Sequence, residues 1–306
     1  MANQATNLTK PNSSNEPVSA TEKRQAFRRL HESGCFVIPN PWDVGSARYL
    51  QSLGFKALAT TSSGHAWSHG FADGAIPLGG VLAHLQEMVG ASDLPVNADF
   101  GNGFAPDAAG VAVNVGLAIK TGVAGVSIED ATGDADKPLY DIDTAVSRIR
   151  AARTAIDKAG GDTLLVGRAE CFLVGQSDLD KTILRLKLYA DAGADCLYAP
   201  GITTEQQIAA VIAAVAPKPV NLLVGSARGL TVPEIAALGV RRISVGGALA
   251  RTAWGAFAHA AKLIAEQGRF DGFANALAGQ ELDSFFSQQQ RAARKCQVGR
   301  GESGPV

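Results

Sequence analysis

Eight short apolar runs, each followed by a longer, Ala-rich amphipathic stretch, set the strongest limit on what this chain can fold into. The runs cover residues 35–39, 57–61, 95–99, 125–129, 164–169, 196–200, 220–224 and 242–245. Runs of that length without polar alternation suit strands buried on both faces, and the stretches between them carry helical periodicity. Helices are predicted over 44–53, 108–121, 142–159, 179–192, 204–215 and 232–238. Most are followed by a glycine, at Gly54, Gly122, Gly160, Gly193 and Gly239, where a left-handed residue stops a helix at low cost. Strand–helix alternation builds a parallel sheet. Eight strands close a barrel, whereas an open doubly wound sheet has about five or six and a glycine-rich first turn. Here the first turn reads Pro39-Asn40-Pro41-Trp42-Asp43. The expected fold is therefore α/β, a (β/α)8 TIM barrel.

A barrel of about 250 residues plus tails accounts for a chain of 306. Residues 1–20, rich in Asn, Ser, Thr and Pro, bury too little apolar surface to offset ordering entropy and are expected to be a disordered tail. The catalytic barrel is expected over 21–267. Residues 268–306 are expected to form a helical extension and tail whose Leu282, Phe285 and Phe286 exceed what a barrel uses and could cover a neighbouring subunit.

Net charge is −1, and the only basic cluster is a short one from Arg291 to Arg300, so nucleic-acid binding lacks electrostatic support. No run is long and apolar enough to span a bilayer, and the N-terminus lacks a signal-peptide pattern, which predicts a cytoplasmic protein with no membrane partner. Cys35, Cys171, Cys196 and Cys296 form no CxxC pair and read as free thiols of a reducing compartment. The sequons at Asn7 and Asn12 are chance matches in that setting.

Reactive groups of a barrel stand at the carboxyl ends of its strands. The second run ends in Thr60 to His65 and is followed by Asp73; the third ends in Asp99, the fourth in Glu129-Asp130, the fifth in Arg168 and Glu170, and the seventh opens with Asn221. Carboxylates from neighbouring strands make a hard-oxygen site suited to Mg2+ or Mn2+. Asp73 taken singly reads first as a helix cap or loop ion pair, the commoner role of a lone acid at a strand end. A Glu129-Asp130 pair inside an apolar run points to function, because buried charge is costly unless paired or bound to metal. Arg168 can fork a substrate carboxylate or neutralise Glu170 or Glu129, and both readings stay open. His65 and His69 have helical spacing but no third nitrogen nearby, which argues against zinc; His65 remains a pocket residue. Asp99-Phe100-Gly101 spells the kinase tripeptide without the loops that give it meaning. Gly225 to Gly229, with Gly246-Gly247, is a weak phosphate-turn signal.

These residues resemble the isocitrate lyase and phosphoenolpyruvate mutase superfamily from about Phe27 to Phe286. The carriers are Pro39 to Asp43, Thr60 to His65, Asn97 to Gly103, Ile128-Glu129-Asp130, Gly167 to Glu170 and Tyr189 to Asp195. The resemblance implies a barrel with C-terminal helices swapped between subunits of a homo-oligomer, a dimer or tetramer. It implies metal binding by Asp99, Asp73 and Glu129, a Ser63-Gly64-His65 carboxylate and oxyanion cradle, catalysis by Arg168 with Ser63 and Gly64, and substrate contacts from His65, Trp42, Asn221 and Glu170. The shared chemistry is a pyruvate-type enolate held by Mg2+, or Mn2+, and formed from a small carboxylic acid.

The sequence departs from the family pattern in three places. Asp136 to Asp141 stands where isocitrate and methylisocitrate lyases carry a Lys-Lys-Cys-Gly-His loop, Asn97 replaces the first acid of an Asp-x-Asp pair, and Pro200-Gly201 stands where those lyases place a glutamate. The pattern resembles the branch that includes oxaloacetate decarboxylases. The expectation is a carbon–carbon lyase or decarboxylase of a small 2-oxo or 2-hydroxy dicarboxylic acid. Carbon–phosphorus chemistry, as in phosphoenolpyruvate mutase or phosphonopyruvate hydrolase, is the alternative, and a non-enzymatic metabolite sensor the third.

Overall fold

A computed structural model describes residues 18–227 and 229–298, with side chains through residue 290. The sequons, the tail before residue 18, Arg228, the Cys296 side chain and the end of the basic segment lie outside the described residues.

The chain divides into two compact units, one of them Ser19–Gly272. It opens with α1 (Ala20–Glu32), then runs through β1 (Phe36–Ile38), α2 (Val44–Ser52), β2 (Leu58–Ala59), α3 (Ser62–Ser68), α4 (Leu78–Ala91), β3 (Val96–Asp99), α5 (Ala108–Lys120), β4 (Gly125–Glu129) and α6 (Ile142–Lys158). It continues with β5 (Leu164–Arg168), α7 (Leu179–Asp191), β6 (Cys196–Tyr198), α8 (Glu205–Val215), β7 (Val220–Leu223), α9 (Val232–Ala237), β8 (Arg242–Ser244) and α10 (Ala248–Gln267). In the other unit α11 (Gly279–Val298) carries Phe285 edge-to-face on Phe286.

All eight strands are parallel, in the order β1-β8-β7-β6-β5-β4-β3-β2. The sheet is a nearly closed TIM barrel: the β1–β2 seam is bridged by the Ala59 N–H donating to the Pro39 carbonyl and by Asn40, whose amide donates to the Thr60 carbonyl. Asn40 Oδ1 also accepts from the Val245 and Gly246 N–H groups, so one side chain ties together the ends of β8, β1 and β2.

Strands β4 to β8 turn alternate side chains outward into an apolar layer against the helices, with Val126, Ile128, Leu165, Leu197, Leu222 and Ile243 buried there, while Leu58 of β2 and Val96 of β3 pack with Ala47, Leu50 and Met88 of α2 and α4. The opposite end of the barrel is stopped by Phe27 of α1, packed with Ile38, Ala57, Ala59, Ala124 and Leu164. Basic residues fix α1 in place: Lys23 Nζ donates to the Val89 and Ser92 carbonyls, and Arg24 donates to those of Ile119 and Val123, so both satisfy carbonyls at or beyond helix ends.

The five predicted stop glycines all have positive φ, from +85° at Gly54 to +110° at Gly160. Three helices escaped the sequence reading, the first of them α1, which precedes the first apolar run and is capped by Ser19. Pro77-Leu78-Gly79-Gly80 reads as a breaker, yet it opens α4, because the first turn of a helix has no i−4 bond to lose and Pro77 sits at the cap. The Thr60-to-His65 stretch, read as a strand end, turns into α3 at Ser62 after a Thr61 cap.

Cys35, Cys171 and Cys196 are free, the last two buried. Among the described residues no helix is long and apolar enough to cross a membrane.

Candidate active site

Strand register decides which charges meet. Asp99 lies level with Ser127, Glu129 with Arg168, and Arg168 with Tyr198, so the carboxyl ends of β3 to β6 form one rim. Arg168 is the hub of that rim. Its Nη1 lies 2.8 Å from Asp99 Oδ1 and 3.2 Å from Glu129 Oε2, while its Nε lies 2.9 Å from Glu170 Oε1. The guanidinium stacks over the Tyr198 ring, 5.0 Å from its centroid. The backbone positions the acid next to it, since the Asp99 N–H donates to Thr60 Oγ1 and Asp99 Oδ2 accepts from the Ser62 N–H.

Electrostatics follow from four carboxylates sharing one cation. Burial works against the Arg168 charge, but Glu170, Glu129 and Asp99 outweigh it and hold the group well above its ordinary value. Burial pushes the Glu129 carboxyl up to about 8, with Glu170, Asp99 and Asp73 adding to the rise and Arg168 opposing it. Glu170 and Asp73 are raised by burial in the same way. Asp73, on the turn after α3, is thus electrostatically within the same group as Asp99 and Glu129.

Above the barrel interior lies a cavity of ≈ 180 Å³ whose lining includes Asp73, Asp99, Arg168, Ser63, Tyr198 and Arg242. That volume suits a metabolite of a few carbon atoms and is far below the 300–1,000 Å³, roughly, that a drug-sized ligand takes.

Of the predicted residues, the structure brings Asp73, Asp99, Glu129, Arg168 and Glu170 together, and Ser63 joins them on the cavity wall. Gly64 is spent on structure: its N–H donates to Thr61 Oγ1 at 3.3 Å, and a Cβ there would stand 2.8 Å from Thr61 Cγ2 and 3.0 Å from Trp42 Cβ. Trp42 accordingly packs beside α3 and is not part of the cavity lining. His65 lines an adjoining hollow of ≈ 30 Å³, room for a water or two, that shares Thr60 to Ser62 and Asp99 with the cavity, and it is stacked on His84 with ring centroids 3.7 Å apart. Asn221 is fully buried below the cavity, donating to Ser244 Oγ and accepting from Arg242 Nε at 2.8 Å, so it supports the wall from behind.

Asp130 does not face the cavity with Glu129. The pair Glu129-Asp130 pointed to function, but strand geometry sends Asp130 away from the cavity, where Tyr189 and Arg185 donate to Oδ2 at 2.5 and 2.9 Å and the Glu170 N–H donates to Oδ1 at 2.8 Å. Its buried charge is fully paired by α7. Arg168 Nε and Nη1 are engaged by carboxylates of the chain, leaving no free two-nitrogen fork for a substrate carboxylate.

The donor chemistry fits a hard, oxygen-preferring dication, because Asp73 and Asp99 line the cavity within an acidic group that one guanidinium only partly neutralises. Among the described residues no three Asp, Glu, His or Cys side chains form a ready-made ligand set. An ion held by one or two carboxylates that keeps its other waters is the mode that Mg2+ favours.

Sequence reasoning missed Arg242, Tyr198, Asn40 and Ser127. The signal for Arg242 was present, a charged residue inside an apolar run, but only register tells which of Arg241 and Arg242 turns inward.

Comparison with known proteins agrees with this geometry. The model of a family described as phosphoenolpyruvate phosphomutase matches residues 27–265. A solved structure from Burkholderia cenocepacia J2315, provisionally assigned as a lyase/mutase, superposes with a TM-score of 0.85 at 48% identity over 88% of this chain and 97% of that one. An oxaloacetate acetylhydrolase solved with its product oxalate gives a TM-score of 0.79 at 28% identity over 93% and 99% of the two chains. An oxaloacetate decarboxylase of Paraburkholderia xenovorans is 30% identical over 233 residues, 73% of this chain and 74% of that protein.

Proposed function

The chain belongs to the phosphoenolpyruvate phosphomutase family, among the lyases and mutases of the isocitrate lyase superfamily, and on that footing we propose that it is a Mg2+-dependent carbon–carbon lyase or decarboxylase of a small 2-oxo or 2-hydroxy dicarboxylic acid. The observation that carries the reading is the convergence of Asp73, Asp99 and Glu129 on Arg168 at the rim of a cavity of metabolite size. Relatives named for oxaloacetate chemistry support the choice of substrate class.

Breaking a carbon–carbon bond beside a 2-oxo group sends the electron pair into an enolate, so the site has to place positive potential at the 2-oxygen. Arg168 supplies one such charge, fixed in orientation by Glu170 and Tyr198. Asp73 and Asp99 would hold the cation, which when bound supplies Lewis-acid stabilisation of the developing charge; Mn2+ would serve in place of Mg2+. The Ser63 hydroxyl, 3.1 Å from Thr61 Oγ1, is placed to donate to a substrate carboxylate. Loss of CO2 needs no proton from the loop after β4, and the enolate left behind can take its proton from water to give pyruvate; that loop, a small turn closed by the Ala131–Leu139 bridge, contains no cysteine.

In the same reading the protein is a homo-oligomer. Trp254 and Phe257 of α10 pack edge-to-face and are 45% and 62% exposed, an apolar surface that a second copy would cover. Light scattering that returned a monomer would remove this part.

The deciding experiment incubates purified protein and Mg2+ with oxaloacetate, substituted malates and phosphonopyruvate, and follows pyruvate and phosphate. Asp99→Ala protein corrects for spontaneous decarboxylation. Pyruvate formed only by the wild type supports the lyase, phosphate supports carbon–phosphorus chemistry, and no product from any of them discards the reading.

A further inference from the structure

Two guanidiniums line the cavity, and they are in opposite situations. Arg168, at the rim, is closed in by three carboxylates. Arg242, on β8, is 2% exposed, and its partners are neutral: Asn221 Oδ1 at 2.8 Å and, at the long limit of a hydrogen bond, Asn97 Oδ1 at 3.4 Å. Among the described residues no carboxylate stands within ion-pair distance of it.

A buried cation without a counter-charge is costly unless other acceptors meet its N–H groups, as backbone carbonyls meet Lys23 and Arg148; Arg242 has two side-chain amide oxygens, one of them at 3.4 Å, and stands on a cavity wall. Strand alternation forces the location. Ile243 turns outward into the helix-packing layer, so Arg242 and Ser244 turn inward, and both reach the cavity wall together with Asn97, Ser127 and Tyr198. This wall offers the Tyr198 and Ser244 hydroxyls and one unneutralised guanidinium to a carboxylate, while the Asn97 amide and the Ser127 hydroxyl already donate to the Ala98 carbonyl.

We propose that Arg242 is the specificity-determining residue for the second carboxylate of the substrate: a compact dicarboxylate enters with one carboxylate on Arg242 and its reacting end at the Asp73–Asp99–Arg168 rim. The assignment rests on the dicarboxylate reading of the cavity and adds to it the residue that separates diacids from monoacids. An unbranched acid of three or four carbons matches the ≈ 180 Å³ available.

Malonate is the probe, with acetate as the one-carboxylate control, both titrated calorimetrically in the presence of Mg2+. Wild-type protein is expected to prefer malonate, and Arg242→Met to bind it roughly 10- to 100-fold more weakly, the loss of one charged hydrogen-bonding partner, with acetate little changed. Unchanged malonate affinity in a folded Arg242→Met protein, or no malonate binding by the wild type, overturns the assignment. Should the variant not fold, a crystal structure of wild-type protein with malonate decides: a carboxylate seated on Arg242 supports the proposal, and both carboxylates seated elsewhere end it. Arg242-dependent malonate binding without turnover of any 2-oxo acid would keep this assignment and discard the lyase reading, while turnover with Arg242-independent binding would do the reverse.

Discussion

Arg168 Nη1 lies 2.8 Å from Asp99 Oδ1, and the same nitrogen lies 3.2 Å from Glu129 Oε2, so one atom bridges carboxylates from two adjacent strands. With Glu170 on Nε, the guanidinium is the electrostatic keystone of the barrel rim as well as its candidate reaction centre.

Arg168→Met should therefore destabilise the protein by about 3–5 kcal/mol, because it leaves buried carboxylates without their cation. The loss should depend on pH in a defined direction. Without Arg168 the carboxyls of Glu129 and Glu170, already raised by burial, lose the charge that opposes the rise and hold protons to still higher pH in the folded state, so the variant goes on weakening to higher pH than the wild type. Urea melts in EDTA should show a larger deficit at pH 9 than at pH 5, the extra loss opening above about 8, where the wild-type Glu129 carboxyl gives up its proton; equal deficits would mean that the ion pairs contribute little.

Asp130→Asn separates structural charge from functional charge. Asp130 is 2% exposed and holds α7 to the end of β4 through Arg185 and Tyr189. Removing its charge strands Arg185 and should cost about 3–5 kcal/mol. Tyr189→Phe, which deletes one hydrogen bond to a charged group, should cost about 1.5–3 kcal/mol. Chemical denaturation checks both, and a smaller effect for Asp130→Asn than for Tyr189→Phe would contradict this account.

The barrel was legible because its signals are local and repeated: a buried strand shows as an apolar run, and a helix stop shows as glycine. The charged rim was legible for a different reason, since carboxylates and an arginine at the ends of apolar runs have few inexpensive explanations. What stayed hidden depends on register and facing. Glu129 and Asp130 are adjacent in sequence, and nothing local says that one turns to the cavity and the other to α7. The same holds for Arg241 and Arg242, of which the first reaches out to the Gly34 carbonyl and the second turns inward. The engagement of Arg168 by Asp99 joins residues far apart in the chain and needed the β3–β4–β5 ladder to be seen.

Gly64 is required by contact. A Cβ on it would sit 2.8 Å from Thr61 Cγ2, 3.0 Å from Trp42 Cβ and 3.3 Å from Ala250 Cβ. Gly64→Ala should thus cost about 1–3 kcal/mol through overpacking. The closest clash is a methyl that serine lacks, and Thr61→Ser keeps the hydroxyl that caps the Gly64 N–H. Adding Thr61→Ser should recover part of the loss, read as a positive coupling in a double-mutant cycle of melting free energies. Strict additivity would locate the strain elsewhere.

His84 gives a prediction whose sign can be worked out step by step. Burial first, then the neighbouring His65 and His69, lower its pKa from 6.5 to about 3, and its Nε2 has no partner in the folded chain. Between those two values the unfolded chain takes up a proton that the folded one refuses, so the His84 contribution to stability is complete above pH 6.5 and is lost as pH falls toward 3. From pH 6.5 to 5 that amounts to about 2 kcal/mol. The raw pH slope of the wild type will not show it cleanly, because the Glu129 carboxyl, pushed up to about 8, acts in the opposite direction over the same range. The difference between wild type and His84→Phe removes that background, since phenylalanine keeps the stack on His65 and carries no proton. His84→Phe should gain about 2 kcal/mol on the wild type between pH 6.5 and pH 5 in urea melts. A difference that stayed flat across that interval would mean that His84 accepts a proton inside the folded protein.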